Sequence, residues 1–183
     1  MNKFRLSVIL ILSVITAVAI QSCNKDTVSA TAYTTKPLQA DIDYVTWAPD
    51  TVSTTVTYDA ASQTKTFSCT GTKSQKRVLF SVTLNSASNT PGFTLGIYPI
   101  DGSVVKAQYY TQQLSNGSYV FLPTGTSDSG SGAVEVTAID SVKKTISGTF
   151  HFYSRTTNGD GSVTTNVISS GEFTTLPYVF TSN

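Results

Sequence analysis

From Leu38 onward, hydrophobic and polar residues alternate along the chain with a period of two. The clearest runs of alternate positions are Val52, Thr54, Val56 and Tyr58, then Phe67 and Cys69, then Val78, Phe80, Val82 and Leu84. Such alternation is typical of β-strands that have one buried face and one solvated face. No amphipathic helix of ten or more residues stands out. The pattern therefore predicts strands throughout this part of the chain.

Turn-forming residues separate the alternating segments. Gly and Asn recur in them because both residues tolerate the positive φ that tight hairpin turns require. The main turn segments are 59–63, 71–75, 85–92, 101–102, 116–117, 128–132, 140–144 and 158–161. Short connections between strands favour antiparallel neighbours. The sequence predicts one all-β domain, either an antiparallel β-sandwich or a flattened β-barrel, with about eight to ten strands.

The clearest supersecondary unit lies near the C-terminus. Segments 133–139 and 146–153 are separated by a short loop, and a third segment, 162–175, follows after a Gly-rich turn. In the middle segment Gly148 shares its side with Phe150. A glycine on the inward side of a strand predicts that another backbone or ring approaches closely there.

The first 22 residues have a different character. Two basic residues precede an apolar run, residues 6–20, that is too short to span a bilayer comfortably. Ile20 and Ser22 provide the apolar and the small residue that a lipoprotein signal needs before its cysteine, Cys23. We expect residues 1–22 to be removed and Cys23 to carry acyl chains that anchor the protein. The alternative is an ordinary secretory peptide in which Cys23 is incidental.

The processed chain then has a simple organisation. Residues 23–37 are polar and rich in Ser and Thr, which predicts a flexible tether, and residues 38–183 form the all-β domain. The expected location is the bacterial cell envelope, at the outer membrane and on its periplasmic or its surface side. With Cys23 acylated, Cys69 has no partner for an intramolecular disulfide, so the core must suffice without one.

The net charge of the chain argues against nucleic acid as a partner. The full chain has 12 Lys and Arg residues against 11 Asp and Glu residues, and losing Lys3 and Arg5 leaves 12 − 2 = 10 against 11, a net charge of −1. A near-neutral chain does not favour nucleic-acid binding. The expected partners are the membrane, through the lipid, and a glycan or an envelope protein.

Three sets of residues carry a resemblance to a known family. The C-terminal set is Gly132-x-Val134-x-Val136-Thr137-x-x-Asp140, Ile146-Ser147-Gly148-Thr149-Phe150-x-Phe152 and Gly171-x-Phe173; the upstream sets are Leu38-x-Ala40 with Trp47-x-Pro49, and Gly96-Ile97-Tyr98-Pro99-Ile100. Together they resemble small Bacteroidota lipoproteins of an uncharacterised all-β domain family, from about Leu38 to Leu176. A glycine that the family has shortly before the tryptophan is replaced around residues 44–46. The resemblance implies fold class and location, and it transfers no activity, cofactor or site residue.

Few residues suggest catalysis or metal binding. His151 is the single histidine of the sequence, and alternation places it opposite Phe150 and Phe152, on the solvated side. A lone exposed imidazole is far more often an ordinary surface residue than a base or a ligand. Cys69 shares its side with Phe67, so a core position is the simpler interpretation. No catalytic residue, metal or cofactor is predicted.

Two pairs of oxygen-bearing side chains are candidates for catalysis or for ion binding. Asp41 and Asp43 would share a strand face, within the spacing that glycosidases use for their acid pair. Acidic residues at the start of an edge strand more commonly protect that edge from pairing, so a glycoside hydrolase is a distant alternative. Asn158 and Asp160 lie in a Gly-rich segment without the calcium-loop pattern, and the segment is predicted to be a turn.

Aromatic residues support the first alternative to a purely structural role. They concentrate in the middle of the chain, and Tyr109, Tyr110 and Tyr119 are the candidates for ligand contact. In an alternating strand one ring of Tyr109-Tyr110 points inward and the other outward. Exposed rings on a sheet are what sugar-binding modules use, although tyrosine is also simply a good strand former. The leading hypothesis is a non-enzymatic structural or binding module, with a glycan-binding module as the alternative.

Overall fold

Twelve β-strands form the part of the chain that the computed structural model describes, residues 36–183. No helix in this part is long and apolar enough to cross a membrane. The predicted signal peptide, the lipid site Cys23 and most of the tether lie outside the described residues. The strands are β1 (Leu38–Ile42), β2 (Val45–Trp47), β3 (Thr51–Asp59), β4 (Thr64–Lys73), β5 (Lys76–Asn85), β6 (Gly96–Pro99), β7 (Val105–Ser115), β8 (Ser118–Pro123), β9 (Gly132–Asp140), β10 (Thr145–Thr157), β11 (Val163–Pro177) and β12 (Val179–Ser182).

The strands form two six-stranded sheets that pack against each other. The first sheet has the order β2-β1-β11-β10-β9-β6, and the second has the order β12-β3-β4-β5-β7-β8. All neighbours are antiparallel except β12 and β3, which are parallel. The prediction of an all-β sandwich is confirmed, and neither sheet closes into a barrel. The parallel pair arises because the chain changes sheets between β11 and β12 instead of folding back as a hairpin.

The number of strands exceeds the predicted eight to ten. The difference comes from β2, β6 and β12, which are three, four and four residues long. So short a segment contains only one or two positions on each face. Alternation of hydrophobic and polar residues therefore does not identify it as a strand.

The alternating positions provide the core, as predicted. Phe67, Cys69, Phe80 and Val82 are fully buried. Among the predicted inward positions, Leu84 is only partly buried, and Val52 is exposed near the start of β3. Aromatic rings join the two sheets: the Phe80 ring centre lies 4.5 Å from that of Phe150. Burial of each such ring contributes about 1.5–3 kcal/mol of hydrophobic stabilisation.

Two glycines permit close approach between the strands. At Gly148 a Cβ would overlap the Glu135 carbonyl oxygen and the Phe173 ring, which confirms the close contact predicted for this position. At Gly71, on the inner face of β4, a Cβ would lie 2.8 Å from the Trp47 ring. The bare backbone of Gly71 thus lets Trp47 of the first sheet lie directly on the second sheet.

Candidate binding surface

The β7–β8 hairpin brings several apolar side chains to one face. Its two-residue turn, Asn116-Gly117, has φ values of 49° and 78°, which Asn and Gly tolerate. The register pairs Leu114 with Tyr119. Directly paired residues of an antiparallel hairpin project to the same side. The side chains on the outer side, here called the hairpin face, are Tyr110, Leu114, Tyr119 and Phe121.

Much of the hairpin face is accessible. Tyr119 is 68% exposed and Leu114 is 65% exposed. The guanidinium carbon of Arg77 lies 4.0 Å from the centre of the Phe121 ring, a cation–π contact that covers one side of this ring. The pairing of β5 with β7 ends at Lys76 and Thr111. Beyond this pair the Gln112 N–H still donates to the Gln75 carbonyl in the β4–β5 turn, at 2.8 Å. The strand ladder of residues 113–115 is with β8, so the end of the hairpin extends past β5.

The three candidate tyrosines have different surroundings. Tyr109 is 2% exposed and lies on the inner side of β7, where burial and the Asp43 carboxylate raise the pKa of its hydroxyl. The buried ring of Tyr109 cannot contact a ligand. Tyr109 was therefore wrongly predicted to be a candidate contact residue. Tyr110 is half-buried and Tyr119 is exposed, and both lie on the hairpin face. Alternation required one inward ring in the Tyr109-Tyr110 pair, but only the structure shows which one.

The β8 strand is also an edge strand with free backbone groups. Because the two-residue turn makes Ser115 and Ser118 a hydrogen-bonded pair, the N–H and C=O groups of Tyr119 and Phe121 point away from β7. Pro123, at the end of β8, has no N–H. Residues 110–123 contain no charged side chain. This edge therefore combines unpaired backbone groups with an uncharged surface.

Asp41 and Asp43 do not form the predicted pair on one strand face. Strand β1 ends at Ile42, and Asp43 follows it with a φ of 52°. The Asp43 carboxylate accepts hydrogen bonds from the Val167 N–H at 2.8 Å and from Asn166 Nδ2 at 3.0 Å. Asp41 accepts a hydrogen bond from the Thr46 hydroxyl at 3.0 Å. Both carboxylates thus stabilise the β1–β2 turn, Asp43 by joining it to β11.

The other candidate residues have ordinary surroundings. His151 is exposed on β10, as predicted, and lines a shallow depression that also contains Glu172, an acid that is distant in the sequence. Burial raises the pKa of the Cys69 thiol to about 12, so the thiolate is absent at neutral pH. Asp160 accepts hydrogen bonds from Ser162, which confirms the predicted turn. Within residues 36–183 no group of three or more His, Cys, Asp or Glu side chains could hold a metal ion.

A family model described as Domain of unknown function (DUF6252) matches residues 34–177. The chain belongs to this family. The match begins before β1 and ends with the last residue of β11, so it includes the hairpin face and every strand of the two sheets except β12. No curated protein and no solved structure matches the chain. This family agrees with the resemblance to an uncharacterised domain family, and its description assigns no activity.

Two cavities of the DUF6252 domain were not predicted. One cavity, of about 260 Å³, is lined by Lys65 and Phe93. The Lys65 Nζ donates a hydrogen bond to the Gly92 carbonyl at 2.9 Å. Burial lowers the pKa of the Lys65 ammonium group. Lys65 occupies an inward position of β4, on the same side as Phe67 and Cys69. A charged residue in this alternating pattern could have indicated the cavity from the sequence alone. The other cavity, of about 380 Å³, lies beside Trp47 and depends on contacts between residues far apart in the chain.

Proposed function

We propose that this DUF6252 domain is a non-enzymatic binding module of the bacterial cell envelope, held at the outer membrane by lipid on Cys23. The sequence before the domain supports the anchor, since an apolar segment leads to Ile20, Ser22 and Cys23. The hairpin face carries the binding part of the proposal. Exposed apolar side chains that cluster on one face mark interaction sites more often than scattered ones do.

A neutral glycan is the ligand class that the hairpin face fits best. Tyr119 offers a flat exposed ring, and stacking of such a ring on the C–H face of a sugar needs no charge. Tyr110 lies about 14 Å away along the strand direction, a second contact point on the same face. The side chain between them, Gln112, provides a donor and an acceptor for sugar hydroxyl groups.

A glycan array probed with the Cys23→Ser protein, followed by calorimetry on the best ligand, tests this proposal. Tyr119→Ala should weaken binding at least about tenfold, which corresponds to about 1.4 kcal/mol. Tyr153→Ala is the matched control because Tyr153 is an exposed tyrosine on β10 of the other sheet. Failure of every glycan to bind, or equal affinity of the Tyr119→Ala variant, would contradict glycan recognition.

The edge of β8 favours a second candidate, an extended protein segment that adds to the sheet. The outward N–H and C=O groups of Tyr119 and Phe121 would hydrogen-bond to such a segment. Phe121→Pro removes one outward N–H without removing a hydrogen bond to β7. Loss of an envelope-protein partner in Phe121→Pro but not in Tyr119→Ala would favour strand addition over glycan stacking.

The anchor has its own experiment. Cys23→Ala should move the protein from the membrane fraction to the soluble fraction, because no acyl chain can be attached. Mass spectrometry of the mature wild-type protein should show an N-terminal cysteine carrying acyl chains. A Cys23→Ala variant that stays in the membrane fraction would overturn the lipid anchor and leave the hairpin proposal to be judged separately.

A further inference from the structure

The cavity of about 380 Å³ opens between β2 and the turn that joins β4 to β5. Val45 and Trp47 of β2 supply an apolar wall, and Val45 is largely exposed. Lys73 and Lys76 lie on the opposite side, one at each end of the turn. The cavity therefore has one apolar wall and one wall that carries two positive charges.

The two lysines concentrate positive charge at the cavity. Lys73 and Lys76 are directly paired in the β4–β5 register, so their side chains lie next to each other on one face. Both residues are half-buried. Like charges directly opposite each other on two strands are destabilising. Among residues 36–183 the one ion pair is that of Lys143 with Asp140, so no carboxylate of this part neutralises either lysine.

Trp47 adds a donor without a protein partner. The residue is 4% exposed, and its ring lies on Gly71. Its Nε1 is buried and has no hydrogen-bond acceptor among the described residues. A buried N–H without an acceptor costs about 1–3 kcal/mol. The apolar wall of the cavity thus includes a residue with an unsatisfied donor.

We propose that this cavity binds an anion that has an apolar body, such as an aliphatic carboxylate. The carboxylate lies between the ammonium groups of Lys73 and Lys76 and relieves their repulsion. The apolar body contacts Val45 and the Trp47 ring and is removed from water. This site is separate from the hairpin face, and it does not depend on the glycan proposal.

Trp47 makes the test direct, because it is the single tryptophan of the sequence and its fluorescence reports on the cavity. The probes are octanoate, octanol and octylamine, which share a chain length and differ in charge. Each is used below the concentration at which it forms micelles or a separate phase. Octanoate should change the Trp47 emission saturably, octanol more weakly and octylamine least. Added salt should weaken the octanoate response because it screens the lysine charges.

Variants connect the response to the two lysines. Lys73→Gln and Lys76→Gln should each weaken octanoate binding about two- to fivefold, with octanol unaffected. Lys106→Gln is the control, since Lys106 is an exposed lysine on the outer face of β7. Equal responses to the three probes, no saturation, or unchanged octanoate binding in the double variant would each overturn the proposal. If a variant fails to fold, the wild-type protein still tests the proposal. An octanoate response that does not weaken with added salt would overturn it.

Discussion

At the scale of single residues, Gly148 shows how closely β9, β10 and β11 approach one another. Gly148→Ala should destabilise the protein by about 1–3 kcal/mol, because the new methyl group would overlap the Glu135 carbonyl oxygen and the Phe173 ring. The urea midpoint measures the effect. Gly159→Ala is the control, since a Cβ at Gly159 meets nothing within 4 Å. Equal midpoints for the two variants would contradict the close contact.

Cys69 makes stability depend on pH in the alkaline range. Burial raises its pKa from 9.0 to about 12 in the folded protein. Below pH 9 both states keep the thiol proton. Between pH 9 and 12 only the unfolded state loses it, so the free energy of unfolding falls as pH rises. The Cys69 contribution to this fall is about 1.4 kcal/mol between pH 8 and 10.

Denaturant unfolding at pH 8 and pH 10 isolates this contribution. The experiment uses the Cys23→Ser background, in which Cys69 is the sole thiol. Cys69→Ala should lose less stability over this interval than its parent, because it has no thiol at this position. The tyrosines remain in both proteins, so their effect on stability is common to the two. The same loss in both proteins would show that Cys69 does not carry the effect.

At the scale of elements, β8 differs from the other three edge strands of the two sheets. It is six residues long, whereas β2, β6 and β12 have three or four residues. Short or charged edges protect sheets from pairing with other chains, and β8 has no charge. Unless a ligand or partner covers it, this strand is the expected site of self-association.

A charge on β8 tests this expectation. Val120→Lys should reduce association at high protein concentration, as measured by light scattering, because a lysine on an edge strand opposes pairing with a second chain. Val142→Lys places the same charge on a residue of the β9–β10 turn that is 90% exposed, and it should have little effect. An equal reduction in both variants would indicate an effect of net charge instead of the edge.

At the scale of the whole domain, the rings between the sheets join them into one core. Phe80 contacts Phe67 in its own sheet, and it contacts Phe150 and Phe173 in the other. Phe80→Ala should cost about 3–5 kcal/mol, a large part of the 5–15 kcal/mol that is usual for a domain. An exposed-ring variant, Tyr153→Ala, should change stability by less than about 1 kcal/mol.

One shared core also predicts one unfolding transition. Far-UV circular dichroism, which reports on both sheets, and the fluorescence of Trp47 should give midpoints that agree with each other in the wild-type protein. The two probes should also agree in Phe80→Ala, at a lower midpoint. Separate midpoints would mean that the sheets unfold independently. The comparison needs no added label, because Trp47 is a natural probe at the contact between β2 and Gly71.

The sequence by itself determined the all-β class, most inward residues of β3, β4, β5 and β10, and the close contact at Gly148. It also determined most of the turns; in the predicted turn 71–75, residues 71–73 instead belong to β4. These properties follow from side-chain alternation and turn chemistry, which act between neighbours in the chain. Only the tertiary structure decided that Tyr109 points inward, that Asp43 joins the β1–β2 turn to β11, and that Trp47 and the two lysines that flank the β4–β5 turn line one cavity. Those outcomes depend on which strands pair and how the sheets pack, and both join residues that are far apart in the sequence.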